Sequence, residues 1–163
     1  MATTYSLIYD EFLDKITDPD LLLLAQDDFE DMKRAWLEYA VKKCKRYVGS
    51  CNLDNRTIVE IPQDSPIYDC DKPYLDAFED DLPDEVVVIL AEYMAEAWLK
   101  PYVNNADLLR LHMNTKDFNT TSPANLVEKI GARYDETRHR VRSLRNEYTF
   151  IENDVSSLST KKQ

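Results

Sequence analysis

Two histidines, three cysteines and a few closely spaced carboxylates are the residues of this chain whose types could do chemistry. His112 and His139 stand far apart, and neither lies near a cysteine at metal-ligand spacing. Two glycines, Gly49 and Gly131, cannot build a phosphate-cradling loop, and no serine sits in a nucleophile-elbow context. The pairs Asp69/Asp71 and Asp80/Asp81 could hold a hard cation, but they lack the glycine and terminal glutamate of a calcium loop. Glu92 and Glu96, four apart, have a spacing that carboxylate metal bundles use. On a helix otherwise apolar they are expected to form an exposed polar stripe. No catalytic residue, metal site or cofactor is expected.

The cysteines do not suggest a disulfide framework. Cys44 falls on a helical pattern and reads as a small buried hydrophobe, whereas Cys51 and Cys70 lie in an irregular stretch and could approach each other. A net charge of −11 argues against nucleic acid as the main partner, because phosphate binding needs a basic footprint. The charge is unevenly placed. Residues 64–85 carry nine carboxylates against Lys72 alone, while residues 137–146 carry Arg138, Arg140, Arg142 and Arg145 and no acid. No apolar run approaches the ~18 residues of a membrane span, and the start, MATTYSLIYDEF, lacks the basic-then-apolar order of a secretory signal.

The elements that must position these groups are helical. Few glycines with abundant Leu, Ala, Glu, Lys and Arg favour helix over sheet. The central one is DEVVVILAEYMAEAWLK, Asp84 to Lys100. Val86, Val87, Leu90, Met94, Ala97 and Trp98 share one side, Val88, Ala91, Ala95 and Leu99 extend the apolar surface, and Glu85, Glu92 and Glu96 leave a thin polar stripe. Pro83 suits its start and Pro101 is expected to stop it. Before it come a short helix over 6–16, capped by Ser6, a second apolar turn at 21–24 opened by Asp18-Pro19, and a long helix over 27–47. The apolar stripe on that long helix is Phe29, Met32, Trp36, Tyr39, Ala40, Cys44 and Tyr47, broken only by Lys43, with Gly49 as the stop. After it come a short helix at 106–113 and a last long helix opened by Ser122-Pro123. The last helix carries Leu126, Ile130, Tyr134, Thr137, Val141, Leu144 and Tyr148 as a narrow seam. Gly131 inside it suggests a close helix crossing.

Residues 50–82 break the pattern and read as an inserted acidic surface arm, with an extended segment near 57–61 (TIVEI) and no clear partner strand. Tyr68, Tyr74 and Phe78 within it are either interface anchors or pins that hold the arm to its own domain. The expected architecture is therefore all-α. A single bundle of four to five helices occupies residues 1–151, the arm spans 50–82, and a polar tail follows at 152–163.

Residues 82–150 resemble a family of tailed-bacteriophage head-tail connector proteins. The features that carry the resemblance are DLPDEVVVILAEYMAEAWLKP, then NADLLRLHMNTKDFNTTSPANL, then a final helix ending RSLRNEYTF, with a similar opening pattern ending near VKKCKRYV. The acidic stretch at 50–80 is longer than in that family. The resemblance implies a non-enzymatic virion protein, assembled in the host cytoplasm. It also implies a twelvefold homo-oligomeric ring between portal and tail or neck proteins, with the C-terminal segment on the portal and DNA passing without sequence-specific contact. A ring closes through heterologous patches. The residues expected to make such contacts are Arg133, Arg138, Arg140, Arg142 and Arg145 on the last helix, Tyr68, Tyr74, Phe78, Asp80 and Asp81 on the arm, and Val155 and Leu158 on the tail. The alternative reading is a small acidic interaction module that binds a basic protein.

Overall fold

The computed structural model describes residues 2–16, 25–49, 51–66, 70, 73–104 and 123–152, with residues 104 and 123–127 in backbone only. The element order is β1 (Thr3–Thr4), α1 (Tyr5–Leu13), α2 (Gln26–Cys44), β2 (Arg56–Glu60), β3 (Tyr74–Phe78), α3 (Asp84–Asn104) and α4 (Pro123–Glu152). The expected apolar turn at 21–24, the helix at 106–113 and the tail beyond Glu152 lie outside the described residues.

Helix α3 is the axis of the fold. It packs against α1, α2 and α4, and from Val86 to Glu96 every side chain except the half-buried Val88 is buried. Each large apolar side chain removed from water on this helix contributes about 1.5–3 kcal/mol before entropy is counted. Pro101 does not end it. The helix runs one turn further to Asn104, because near the end of a helix a single lost N–H bond is a small penalty when Trp98 and Tyr102 pack ring to ring at 5.8 Å. Helix α4 carries its seam where periodicity placed it, with Val141 and Tyr148 buried and Ile130, Tyr134, Thr137 and Leu144 half-buried.

Three expectations need correction. The first is the all-α class: the molecule is mostly helical but includes a three-stranded antiparallel sheet in the order β1-β3-β2. The partner missing from the sequence reading is YLDAF, whose Tyr74, Leu75, Asp76, Ala77 and Phe78 stand opposite Glu60, Val59, Ile58, Thr57 and Arg56. Strand β1 closes the other edge, Thr3 opposite Phe78, and the Thr3 hydroxyl accepts the Leu82 N–H at 2.8 Å. Chain entry is thus tied to the start of α3, and α1 begins directly after β1 at Tyr5 rather than at a Ser6 cap.

The second correction is that residues 50–82 are not an arm standing off the bundle. Leu53, Ile61, Ala77, Phe78 and Leu82 are buried, and Phe78 lies 5.0 Å from the Tyr5 ring with the Arg56 guanidinium 4.8 Å over its face. Cations also clamp the segment to α2: Arg34 pairs with Asp76, Lys45 with Asp54, and Arg56 with Glu38 at 2.9 Å. The third concerns α2, whose buried stripe is Lys33, Leu37, Ala40, Val41 and Cys44, while Met32, Lys43 and Tyr47 face solvent. Lys33 is tolerated there because its ammonium meets Glu30 at 2.7 Å and lies over the Tyr9 and Phe29 rings at 4.8 and 4.7 Å.

All three cysteines are free. No close helix crossing occurs at Gly131, where an added Cβ meets nothing within 4 Å and the backbone is right-handed. Gly131→Ala should therefore raise unfolding free energy by about 1 kcal/mol, the helix-propensity difference without a steric penalty. Chemical denaturation of the two proteins under the same conditions checks this; an unchanged or lower midpoint would contradict it.

Candidate functional site

Of the residues that could do chemistry, Glu92 and Glu96 are the pair that lies on α3 and is buried there. Glu92 and Glu96 were expected to be exposed, and this is corrected: they are only 2 and 7 % exposed. Two buried carboxylates in an apolar helix are costly unless their charge and lone pairs are met, and three neighbouring elements meet them. Lys15, on the turn after α1, approaches the Glu92 carboxylate at 3.5 Å, and Arg140 of α4 approaches the same oxygen at 3.4 Å. Lys15 also pairs with Glu11 at 2.7 Å and Arg140 with Glu136 at 3.4 Å. Arg133 donates to the Lys15 carbonyl at 3.2 Å, just past the end of α1, where backbone oxygens lack helical partners. Around this node lies a cleft of about 90 Å³, lined also by Ala95, Trp98, Leu99 and Thr137.

One turn along, Glu96 accepts a hydrogen bond from the Tyr39 hydroxyl of α2 at 3.3 Å, and the Arg138 guanidinium stands 4.0 Å away. Burial, then the Glu96 charge and its hydrogen bond, push the Tyr39 hydroxyl up to about 12. Tyr134 is raised in the same sense, by burial first and the Glu96 charge second. Burial alone accounts for most of the rise of the Cys44 thiol, to about 12.

The arginines of α4 expected to meet a partner are thus mostly committed within the chain. Arg133, Arg138 and Arg140 act as above, and Arg145 lies 4.0 Å over the Tyr47 ring. Arg142 is on the exposed side of the helix. Of the arm residues, Phe78 is core and unavailable as a surface anchor, a correction, and Asp80 accepts the Asn52 N–H at 2.8 Å. Tyr74, at the connected end of the hairpin opposite Glu60, and Asp81 are exposed. Tyr68, Val155 and Leu158 lie outside the described residues. The structure therefore brings four of the five arginines onto α3 or its neighbours and does not gather the acidic arm with them.

Helix α4 also carries the Glu-x-x-His spacing of carboxylate metal bundles, at Glu136 and His139. His139 lies on the exposed side, and Glu136 is engaged by Arg140. Among the described residues no three His, Cys, Asp or Glu side chains come together as a metal site. The residues the sequence reading missed are Lys15 and Tyr39. The available signal was that two glutamates on a helix apolar all round have to be paired, and Lys15 is the only cation before Lys33.

Comparison with known proteins finds no matching family model, no similar curated protein and no similar solved structure. The node holds paired charges and no imidazole or thiol, so its geometry is that of a staple joining α1, α2, α3 and α4.

Two outcomes follow from this geometry. Lys15→Ala and Arg140→Ala should each cost only about 1 kcal/mol, because Glu92 keeps one cation and Arg140 is half exposed. The double variant should cost about 3–5 kcal/mol, more than additively, since it leaves a buried carboxylate unpaired. Equilibrium unfolding of the four proteins in a double-mutant cycle reads this directly, and additivity would remove the shared-charge account. The second outcome is alkaline. In the unfolded chain Tyr39 ionises near its ordinary value of 10, before it does so in the fold, so stability is full below pH 10 and falls as pH rises towards 12. Urea titrations across that window should show the fall, with a shallower slope in Tyr39→Phe.

Proposed function

We propose that this chain is a non-catalytic structural protein of a tailed bacteriophage, a subunit of the oligomeric ring that joins the portal to the tail and lets DNA pass. The observation that carries the reading is the resemblance of residues 82–150 to head-tail connector proteins. Two features of the molecule support it. The ionisable groups gathered on α3 are spent on each other, which suits a scaffold that works through its surfaces. Helix α4, with 30 residues or about 45 Å of length, ends on Phe150 and Ile151, which are 68 and 65 % exposed. Two adjacent large apolar side chains left in water where the chain leaves the bundle are a natural contact for a neighbour.

In this reading the tail from Glu152 to Gln163, with Val155 and Leu158, docks on the portal, and Arg142, Tyr74 and Asp81 lie at contacts between ring subunits. No cofactor is required. The second reading, an acidic module that binds a basic partner, is favoured by one observation: Arg138, Arg140 and Arg145 are committed inside the chain, which leaves a surface whose net charge is acidic.

Native mass measurement of the chain with a portal protein from the same genome tests the first reading. The expected result is a ring-sized assembly that is lost in a Phe150→Asp/Ile151→Asp variant of unchanged circular dichroism. A chain that stays monomeric and never co-purifies with virions would sink the proposal.

A further inference from the structure

Between α1 and the first turns of α3 runs an open groove of about 220 Å³ that the staple does not use. Its floor is apolar: Leu7, which is 51 % exposed, with the buried Val87 and the half-buried Val88. Its rim is acidic: Asp10, Glu11 and Asp14 along α1, and Asp84 at the start of α3. Glu11 is paired with Lys15, whereas Asp10, Asp14 and Asp84 have no salt-bridge partner among the described residues. Leu7, Asp10, Glu11 and Asp14 recur at steps of three and four, so they form one stripe of α1, with Asp10 and Asp14 one helical turn apart.

We infer that this groove is a docking surface for a basic amphipathic helix of a different protein. The docked helix would place a leucine- or methionine-sized side chain on Leu7, Val87 and Val88. A lysine or arginine one turn to either side would meet the carboxylates of Asp10 and Asp14. An apolar helix face laid into a groove with charges matched at the rim is a recurrent mode of recognition. Charge decides against a second copy as occupant. The chain carries −11, so two copies repel overall even though Lys42, Lys43 and Arg46 are exposed around the end of α2. A copy would thus bring like charge to a rim that needs the opposite sign. The inference stands apart from the ring reading, since it concerns a face that a single folded chain already presents.

The test is titration of the full chain with a fluorescent lysine–leucine–alanine amphipathic helical peptide, read by anisotropy. Saturable one-to-one binding is expected, weakened about ten-fold or more on moving from low to high salt. Asp10→Lys/Asp14→Lys should weaken it at least about ten-fold. That variant is not expected to unfold, because both side chains are exposed and have no salt-bridge partner among the described residues, and a lysine at position 14 suits the C-terminal end of α1. Leu7→Ser, at an exposed position, should weaken binding without altering the salt dependence. Asp64→Lys/Glu128→Lys, which makes the same change of net charge elsewhere, should leave binding within about two-fold. Equal loss in both double variants would overturn the proposal in favour of unspecific attraction to an acidic protein. Absence of saturable binding to the wild-type chain would overturn it outright. Self-association of the chain that disappears in Asp10→Lys/Asp14→Lys would replace the foreign helix with a second copy.

Discussion

Helix α3 is buried on nearly its whole circumference, yet it carries two carboxylates that must not be left alone in that environment. The rest of the fold follows from this constraint. A glutamate 2 % exposed and another 7 % exposed each need a cation or a donor, and three neighbouring elements supply them. Lys15 comes from the end of α1, Tyr39 from the middle of α2, and Arg138 and Arg140 from α4. Apolar packing alone would allow these helices to slide or rotate about α3 at modest cost, since hydrophobic burial has no direction. Paired charges at fixed distances have a direction. They set the register in which α1 runs beside α3 and α4 crosses its other face, at the expense of desolvation that an apolar core would have avoided.

This division of labour explains which parts of the molecule were legible in the sequence. The seam of α4 was, because Ile130, Tyr134, Thr137, Val141, Leu144 and Tyr148 are spaced by the helix itself and no other element has to be known. The extent of α3 was legible for the same reason, except at Pro101, whose penalty is local while the packing that outweighs it is tertiary. The stripe of α2 was misjudged because aromatic residues were assumed to be core. Phe29, Trp36 and Tyr39 are half-buried at the edge of the interface, and the smaller Leu37, Ala40, Val41 and Cys44 face α3, where helices need close approach. Glu92 and Glu96 were read as exposed because they form a thin polar stripe on a helix otherwise apolar. Their partners lie 57 positions away for Tyr39 and 48 for Arg140.

The hairpin shows the same limit from the side of β-structure. In YLDAF, Tyr74, Asp76 and Phe78 share one face, and Asp76 interrupts what would otherwise read as a half-apolar strand. It is acceptable there because Arg34, 42 residues earlier on α2, meets it. A charge whose partner is distant makes a core element look like a solvated loop. The acidic composition of residues 64–85 was therefore taken as a surface property, when part of it is internal wiring. Asp76 serves α2, Asp80 holds the Asn52 backbone, and Glu79 accepts from the Asn55 amide.

Sorting the charges this way changes where function can reside. Carboxylates that are wired internally contribute to the fold and offer nothing to a partner, and the same holds for the arginines on Glu92, Glu96 and Tyr47. What remains outward includes the unpaired acids along α1 and at the start of α3, together with apolar positions that the described residues do not cover, Leu7 among them. Both kinds of surface cost the isolated molecule something, as unscreened repulsion in one case and hydrated hydrocarbon in the other. A fold that satisfies even its buried glutamates completely, with no buried side-chain nitrogen or oxygen left unbonded among the described residues, has no internal need for such features. Under the docking inference, a neighbour that neutralises the acids and takes the apolar groups out of water would relieve both costs at once.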